Sequence, residues 1–305
     1  MLARLAPASV FGGAALTPGP VAVPAGYAPK LTEMSFELVP AAPAPLLRGI
    51  AIEYRGFRND APSPPAQREY PSACVPVIID CGAGWHVATP ASGYRTVRTG
   101  GFVAGMHDAF ALVRSAGPAL GVQVDLSPLG ARRLLQLPMH EIVNRVVPVE
   151  DLLGRDARSL AEQLVDAPGW PERFSIIDAV LARRAAGAPA VSPGVAWAWG
   201  RLHATAGAVP VGELGSQLGW SRKRLAARFR EEIGLTPKTA ARVLRFHALV
   251  AGLRTAGAAE SWAALAAAAG YSDQSHLVRD VRRFAGMTPT ELLARVGPQP
   301  AAIPA

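Results

Sequence analysis

Residues 262–289 read WAALAAAAGYSDQSHLVRDVRRFAGMTP, and residues 211–237 follow the same plan as VGELGSQLGWSRKRLAARFREEIGLTP. Up to the glycine of each copy the matching pairs are Val211 and Trp262, Leu214 and Leu265, Leu218 and Ala269, and Gly219 and Gly270. Beyond it, where the second copy is one residue longer, they are Ser221 and Asp273, Leu225 and Leu277, Phe229 and Val281, Gly234 and Gly286, and Thr236-Pro237 and Thr288-Pro289. Self-similarity of this kind indicates a duplicated structural unit.

Each copy predicts two helices joined by a tight turn. The apolar residues of the first segment follow helical spacing, and Gly219 or Gly270 stands where a left-handed residue ends a helix. Ser221 and Asp273 then stand where a side-chain oxygen can accept a hydrogen bond from the first turn of the next helix. Such a cap stabilises a helix by about 1 kcal/mol.

The second helix of each copy has one apolar stripe and one polar face. Leu225, Phe229 and Ile233 form the first stripe, and Leu277, Val281 and Phe284 form the second. A helix anchored in this way can enter the major groove, about 12 Å wide, where arginine suits guanine and glutamine suits adenine. Two helical hairpins with solvated faces are the alternative, and the matched caps, turns and Thr-Pro endings argue against it.

The segment between the copies predicts a long helix. Thr236-Pro237 resembles an N-cap followed by proline at the first helical position, and PKTAARVLRFHALVAGLR follows over 237–254. About 18 residues at 1.5 Å each make a rod of about 27 Å, which can hold two reading helices near one turn of DNA apart. Arg242, Arg245 and Arg254 can add phosphate contacts from this rod.

These residues resemble the AraC/XylS type of transcriptional regulator over about 194–296. The stretch LAAAAGYSDQSHLVRDVRRFAGMTPTELL, residues 265–293, is similar to the family signature, although Leu277 and Val281 replace the usual aromatic residues and Arg282 stands where lysine is common. The resemblance implies an all-α domain of seven helices, with two helix-turn-helix units joined by a long helix.

The resemblance also implies the residues that contact DNA. Base edges are expected to meet Arg222, Lys223, Ala226, Ala227, Gln274, Ser275, Val278 and Arg279. Phosphates are expected to meet Arg224, Arg230, Arg242, Arg245, Arg282 and Arg283. Because Ala226 and Ala227 offer no polar group, the first helix is expected to rely on Arg222, Lys223 and methyl contacts.

The charge distribution favours a polyanionic partner. Residues 195–305 hold 14 of the 31 lysines and arginines but only 7 of the 23 acidic residues, so nearly all of the net charge of +8 lies there. A basic surface confined to one region is typical of nucleic-acid binding, with solvated arginine-rich helices as the alternative. No apolar stretch is long enough to span a membrane, and Cys74 and Cys81 form neither a disulfide framework nor a CxxC pair. We expect a cytoplasmic protein.

The preceding two thirds predict an α+β domain. Short strands are expected in GIAIEYRGF, CVPVIIDCG, GWHVATP, YRTVRTGGF, AFALVRSAG and LGVQVDL, and helices in PLGARRLLQLP, DARSLAEQLVDA and PERFSIIDAVLARRA. Residues 120–154 are similar to the end of the cupin-like region in one branch of these regulators. The fold class is therefore a two-domain one, with a cupin-like α+β domain followed by an all-α domain.

The expected boundaries follow composition. They are a disordered Pro/Ala-rich leader at 1–34, a sensor or dimerisation domain at 35–186, a linker at 187–193, the DNA-binding domain at 194–297 and a tail at 298–305. The resemblance implies double-stranded DNA as partner and, beyond it, a small-molecule effector, a homodimer and a contact with RNA polymerase.

The N-terminal domain suggests no metal or cofactor. His86, His107 and His140 stand singly, without the clustered spacing of a metal-binding cupin, so each is expected to have a structural role. Tyr54, Trp85, Tyr94 and Phe102 either line an apolar pocket or pack in the core.

Two other functions are alternatives to that of a specific regulator. An enzyme would need a signature such as a nucleophile elbow, a P-loop, a dinucleotide fingerprint or HExxH, and none occurs; two cysteines cannot build a zinc-thiolate cluster. An architectural or RNA-binding protein would use the same basic helices with little sequence preference.

Overall fold

The computed structural model describes residues 36–62, 64–255 and 261–297. The leader predicted at 1–34 and the tail predicted at 298–305 lie outside the described residues. Within them, a β-rich region is followed by helices, as the sequence predicts.

The β-rich region contains two antiparallel sheets. Its strands are β1 (Phe36–Ala41), β2 (Ala51–Asn59), β3 (Gln67–Glu69), β4 (Val75–Asp80), β5 (Trp85–Ala88), β6 (Val97–Thr99), β7 (Phe102–Ala104), β8 (Ala111–Ser115), β9 (Ala119–Leu126) and β10 (Val146–Pro148). The first sheet has the order β1-β2-β9-β4-β7-β10, and the second has the order β3-β8-β5-β6.

Helices follow in two groups. The first comprises α1 (Pro128–Leu135), α2 (Val149–Leu153), α3 (Arg155–Asp166) and α4 (Trp170–Ala186). The second comprises α5 (Pro193–Ala204), α6 (Val211–Leu218), α7 (Arg222–Glu232), α8 (Pro237–Thr255), α9 (Trp262–Ala268), α10 (Gln274–Ala285) and α11 (Pro289–Val296). In the part of the chain that the structure describes, seven helices run from α5 onward, the number that the resemblance implies.

Both faces of the first sheet are buried, and successive side chains along its strands point alternately to one face and to the other. On β4, Ile78 packs with Phe57 and Trp85 between the two sheets, whereas Val77 and Ile79 pack on the opposite face. That opposite face is covered by α1, α3 and α4. Alternation with period two lets one strand serve both layers, and each fully buried aliphatic side chain stabilises the fold by about 1.5–3 kcal/mol.

The prediction of a single strand in YRTVRTGGF was wrong, because this stretch contains two strands. The stretch YRTVRTGGF forms two short strands in different sheets, β6 in the second and β7 in the first. The chain crosses between them at Gly100 and Gly101, and a Cβ atom at Gly101 would lie only 2.6 Å from the carbonyl oxygen of Ile78. Glycine therefore permits a close backbone approach that a strand pattern does not reveal.

None of the helices in the described ranges has the length and apolar character needed to cross a lipid bilayer.

Candidate nucleic-acid interface

The first helix-turn-helix unit consists of α6, a three-residue turn and α7. Gly219 ends α6 with φ of +63°, and the hydroxyl of Ser221 accepts a hydrogen bond from the backbone N–H of Arg224 at 3.2 Å. Leu225 and Phe229 are buried, so the helix is anchored along one side. The glycine, the cap and the stripe all lie where the sequence predicts them.

The second unit consists of α9, its turn and α10. Gly270 has φ of +76°, and a carboxylate oxygen of Asp273 accepts a hydrogen bond from the backbone N–H of His276 at 2.7 Å. That hydrogen bond, joined by one from Ser272, holds the pKa of Asp273 below its usual value. Leu277 and Phe284 are buried, together with Val281 between them.

Helix α8 connects the two units. It has 19 residues, which corresponds to about 28 Å, close to the length that the sequence predicts. The hydroxyl of Thr236 caps it by accepting from the backbone N–H of Thr239 at 3.1 Å. Val243, Phe246 and Leu253 are fully buried, and α8 contacts both α7 and α10. A buried rod of this kind fixes the separation of α7 and α10.

All eight residues expected at base edges face away from the core. Ala226 and Val278 are half-buried, and the exposed ones are Arg222, Lys223, Ala227, Gln274, Ser275 and Arg279. The guanidinium of Arg279 donates to the carbonyl oxygen of Ser275 at 3.2 Å, so it lies along its own helix and would have to extend to reach a base.

The first turn of α7 concentrates positive charge. Arg222, Lys223 and Arg224 are consecutive and exposed, and this turn contains no acidic residue. Arg224 lies over the ring of Trp220, with its guanidinium carbon 4.8 Å from the ring centroid. The positive end of the helix dipole repels these cationic side chains, whereas an anion placed there is attracted by the dipole and by the cations. The arrangement favours a bound phosphate.

Two of the arginines expected at phosphates, Arg242 and Arg245, lie on α8 and bind other parts of the protein. Arg242 donates to the buried carboxylate of Asp280 through Nε at 3.0 Å and through its terminal nitrogen at 2.5 Å. Arg245 donates to the carbonyl oxygen of Gly207 at 2.7 Å. Both are half-buried; Arg242 ties α8 to α10, and Arg245 ties α8 to the loop between α5 and α6. The sequence reasoning missed these structural roles and missed Asp280 altogether.

The other four arginines expected at phosphates differ in their surroundings. Arg224, Arg230 and Arg282 are exposed on the recognition helices, where they can meet phosphates. Arg283 forms an ion pair with Asp108 of the β-rich region at 2.5 Å, so a phosphate would compete with that carboxylate. Arg254 lies near Glu69, which is also part of the β-rich region.

The N-terminal residues singled out in the sequence separate in the structure. Phe102 lines a cavity between the two sheets, whereas Trp85 packs in the core and Tyr54 is buried with its hydroxyl donating to Asp178 at 2.8 Å. Tyr94 is exposed and stacks on Phe110. His107 lines the cavity, His140 is exposed, and His86 is half-buried. Among the described residues, His, Cys, Asp and Glu side chains form no group of three that could hold a metal ion.

Comparison with known proteins agrees with the helical geometry. Residues 214–295 match a family model described as a helix-turn-helix domain. Solved structures similar to the chain include apo ToxT, a variant from Vibrio cholerae strain SCE256, with a TM-score of 0.47 and 9% identity over 80% of this chain and 97% of that one. ToxT from Vibrio cholerae O395 has a TM-score of 0.42 and 10% identity over 76% and 96%. No curated protein matches the chain. Residues 214–295 of this chain therefore form a helix-turn-helix domain.

Proposed function

We propose that the chain is a sequence-specific DNA-binding transcription regulator that reads two adjacent major-groove segments with α7 and α10. The observation that carries this proposal is the matched orientation of side chains in the two units. In each, the apolar stripe is buried and the residues near the helix N-terminus that can read bases are outside. A helix presented in this way is suited to direct readout in the major groove.

The arrangement of α8 supports simultaneous reading by both units. Because α8 packs on α7 and on α10 and is itself buried, the two helices cannot turn independently without breaking its contacts. Two major-groove segments on one face of B-form DNA lie about 34 Å apart, which is similar to the length of this rod. Arg224, Arg230 and Arg282 supply sequence-independent attraction beside the reading residues.

The resemblance of residues 194–296 to AraC/XylS-type regulators leads us to propose that the β-rich domain receives a small effector. Homodimerisation, a contact with RNA polymerase and a cytoplasmic location remain predictions that follow from a regulatory role. An architectural nucleic-acid-binding protein is the second candidate function, and the basic first turn of α7 is the observation in its favour. It differs in predicting similar affinity for all sequences.

Selection from a random duplex library tests the proposal. The full chain should enrich one sequence, and its affinity for that sequence should exceed its affinity for a scrambled duplex by at least about a thousandfold. Gln274→Ala and Arg279→Ala should each weaken binding to the enriched duplex by about 1–3 kcal/mol and leave binding to the scrambled duplex nearly unchanged.

Arg158→Ala is the matched control, because Arg158 is exposed on α3, outside the helix-turn-helix domain. It removes one positive charge and should change neither affinity. Failure to enrich any sequence, or equal losses of the two variants on both duplexes, would support the architectural alternative.

A further inference from the structure

A cavity of about 60 Å³ lies between the two sheets of the β-rich domain. Its apolar wall is formed by Val87, Phe102, Ala104, Ala111, Val113 and Val146. Its polar wall is formed by Glu69, Tyr70, Ser72, Cys74, His107 and Gln123. A largely apolar cavity with a few convergent polar groups is the usual form of a small-molecule site.

Gln123 brings an unused acceptor to this cavity. Its side chain is 1% exposed, and its amide nitrogen donates to a carboxylate oxygen of Asp125 at 2.7 Å. That bond fixes the orientation of the amide, because a carboxylate can only accept. The amide oxygen Oε1 then has no hydrogen-bond partner among the described residues. A buried acceptor without a donor costs free energy that a ligand can recover.

His107 brings a second acceptor. Its Nδ1 lies 2.5 Å from the carbonyl oxygen of Gly105, which cannot donate, so Nδ1 carries the proton. Burial lowers the pKa of the imidazole, and the ring is therefore neutral at pH 7. Nε2 is then an acceptor, and it too has no partner within the described ranges.

Glu69 supplies a third polar group, a carboxyl that can accept a hydrogen bond and, when protonated, can also donate one. Burial raises the pKa of its carboxyl to about 8, and Asp125 adds to this effect, while Arg254 and Arg55 oppose it. A cationic group in the cavity would favour the ionised carboxylate for the same electrostatic reason. Gln123 Oε1 and His107 Nε2 therefore favour a ligand that donates hydrogen bonds and disfavour one that carries a carboxylate, because neither atom can donate to it.

We propose that the inter-sheet cavity binds a small molecule with an apolar body and a hydrogen-bond-donating end, an amine or a hydroxyl, and that its occupancy is coupled to α10. The coupling rests on the regulatory function proposed above, whereas the binding does not.

The first route of coupling is the segment that contains Glu69. Arg68 precedes it and donates to the carbonyl oxygen of Ala285, at the C-terminal end of α10, at 2.6 Å. Tyr70 follows it and meets the ring of Phe246 on α8 edge to face, with centroids 6.1 Å apart. A displacement of Glu69 by a ligand would therefore be transmitted to both helices.

The second route is the segment that contains His107. Asp108, the next residue, binds Arg283 of α10 and is itself held by Asn144, whose amide nitrogen donates to it at 2.9 Å. Neighbouring residues of each segment thus face the cavity and the second helix-turn-helix unit. A ligand that favours one arrangement of these segments changes the DNA affinity, typically by about 5- to 150-fold.

Binding is tested on the full chain, without DNA, by titrating three probes of similar size: benzylamine, benzyl alcohol and benzoate. Benzylamine and benzyl alcohol should raise Tm in a concentration-dependent way, by about 2–4 °C at ten times their Kd, and benzoate should not. His107→Leu should reduce the shift, and Ala104→Leu, which fills part of the cavity, should abolish it. His140→Leu is the control, because His140 is exposed and does not line the cavity.

Three outcomes of this titration would overturn the binding proposal. They are an equal or larger shift with benzoate, no shift with any of the probes, and an unchanged shift in both cavity variants. None of them depends on DNA, so the proposed DNA-binding function would survive them, whereas the proposed effector site in this cavity would not.

Coupling is tested by measuring the affinity for the enriched duplex with and without benzylamine. The affinity should change at least about fivefold in the natural chain and less in Asp108→Asn, which removes the charge that binds Arg283. An unchanged affinity with the probe bound would refute the coupling alone. A chain that binds the probes but enriches no sequence would refute the proposed function and leave the binding intact.

Discussion

Arg242 on α8 and Asp280 on α10 form an ion pair that joins the connecting helix to the second recognition helix. The carboxylate of Asp280 is 1% exposed, and the guanidinium of Arg242 also lies over the ring of Phe284. His276, one turn before Asp280, approaches the other carboxylate oxygen at 3.7 Å. Because two nitrogens of Arg242 donate to one carboxylate oxygen of Asp280, the pair fixes the rotation of α10 about its axis, and therefore the direction in which Gln274 and Arg279 point.

Asp280→Ala is expected to destabilise the chain by about 2–3 kcal/mol, because it leaves the half-buried guanidinium of Arg242 without its counter-charge. Urea unfolding measures this loss. Asp151→Ala, at an exposed position on α2, serves as the control and should cost less than about 0.5 kcal/mol. A loss for Asp280→Ala no larger than the control would mean that the pair contributes nothing to stability.

We expect Arg230 and Arg282 to contact DNA phosphates and Arg245 not to contact them. Arg230→Ala and Arg282→Ala should weaken binding to every duplex alike and reduce the slope of log affinity against log salt by about 1 each. Arg245→Ala should change the slope little and reduce stability instead, because Arg245 binds the carbonyl oxygen of Gly207. Fluorescence anisotropy across a salt series measures the slopes, and a full-unit change for Arg245→Ala would show that this side chain contacts DNA.

The helix-turn-helix units were predictable because their signals are local. Gly219, Ser221 and the stripe through Leu225 fall within a few residues, and the second copy repeats them. The partner of Arg242 was not predictable from such spacing, because Asp280 lies far along the chain. A signal was nevertheless present: position 280 lies one turn after Leu277, beside the apolar stripe, where a carboxylate has to be paired if it is buried.

The β-rich region was predictable as a set of strands and much less so as a set of sheets. Strands of three residues, such as β3 and β10, are too short to show alternation, and the sequence analysis missed both along with β1 and α2. The cavity groups come from β3, β9 and the loop after β7, so only the pairing of distant strands brings Glu69, Gln123 and His107 together. Pairing of distant strands is set by tertiary packing, which no local pattern encodes.

His247 should make the stability of the helical domain sensitive to mild acid. Burial, with help from His203 and Arg254, lowers the pKa of His247 to about 4, whereas in the unfolded chain it is near 6.5. Because the unfolded chain binds the proton first, stability is complete above about pH 6.5 and falls as pH decreases towards 4, by about 2–3 kcal/mol. His247→Leu should flatten this part of the profile of unfolding free energy against pH. His140→Gln, at an exposed position, should leave it unchanged, and a profile for His247→Leu as steep as that of the natural chain would contradict the assignment.

Gly286 of the helix-turn-helix domain and Phe110 of the β-rich domain lie next to each other, and we call this contact between the two domains the seam. Gly286 ends α10 with φ of +65°, and a Cβ atom there would collide with the ring of Phe110, on which Arg68 also stacks at 4.0 Å. Gly286→Ala carries two penalties, about 1 kcal/mol for the left-handed backbone and a further steric cost from the ring. In a Phe110→Ala background most of the steric cost should vanish, because the other close neighbour is the flexible end of the Arg68 side chain, and mainly the backbone penalty should remain. A double-mutant cycle of urea unfolding energies should therefore give a coupling of at least about 1 kcal/mol between these positions. Additive losses would show that the seam is not closed in solution, and the route from the cavity through Arg68 to α10 would then be absent.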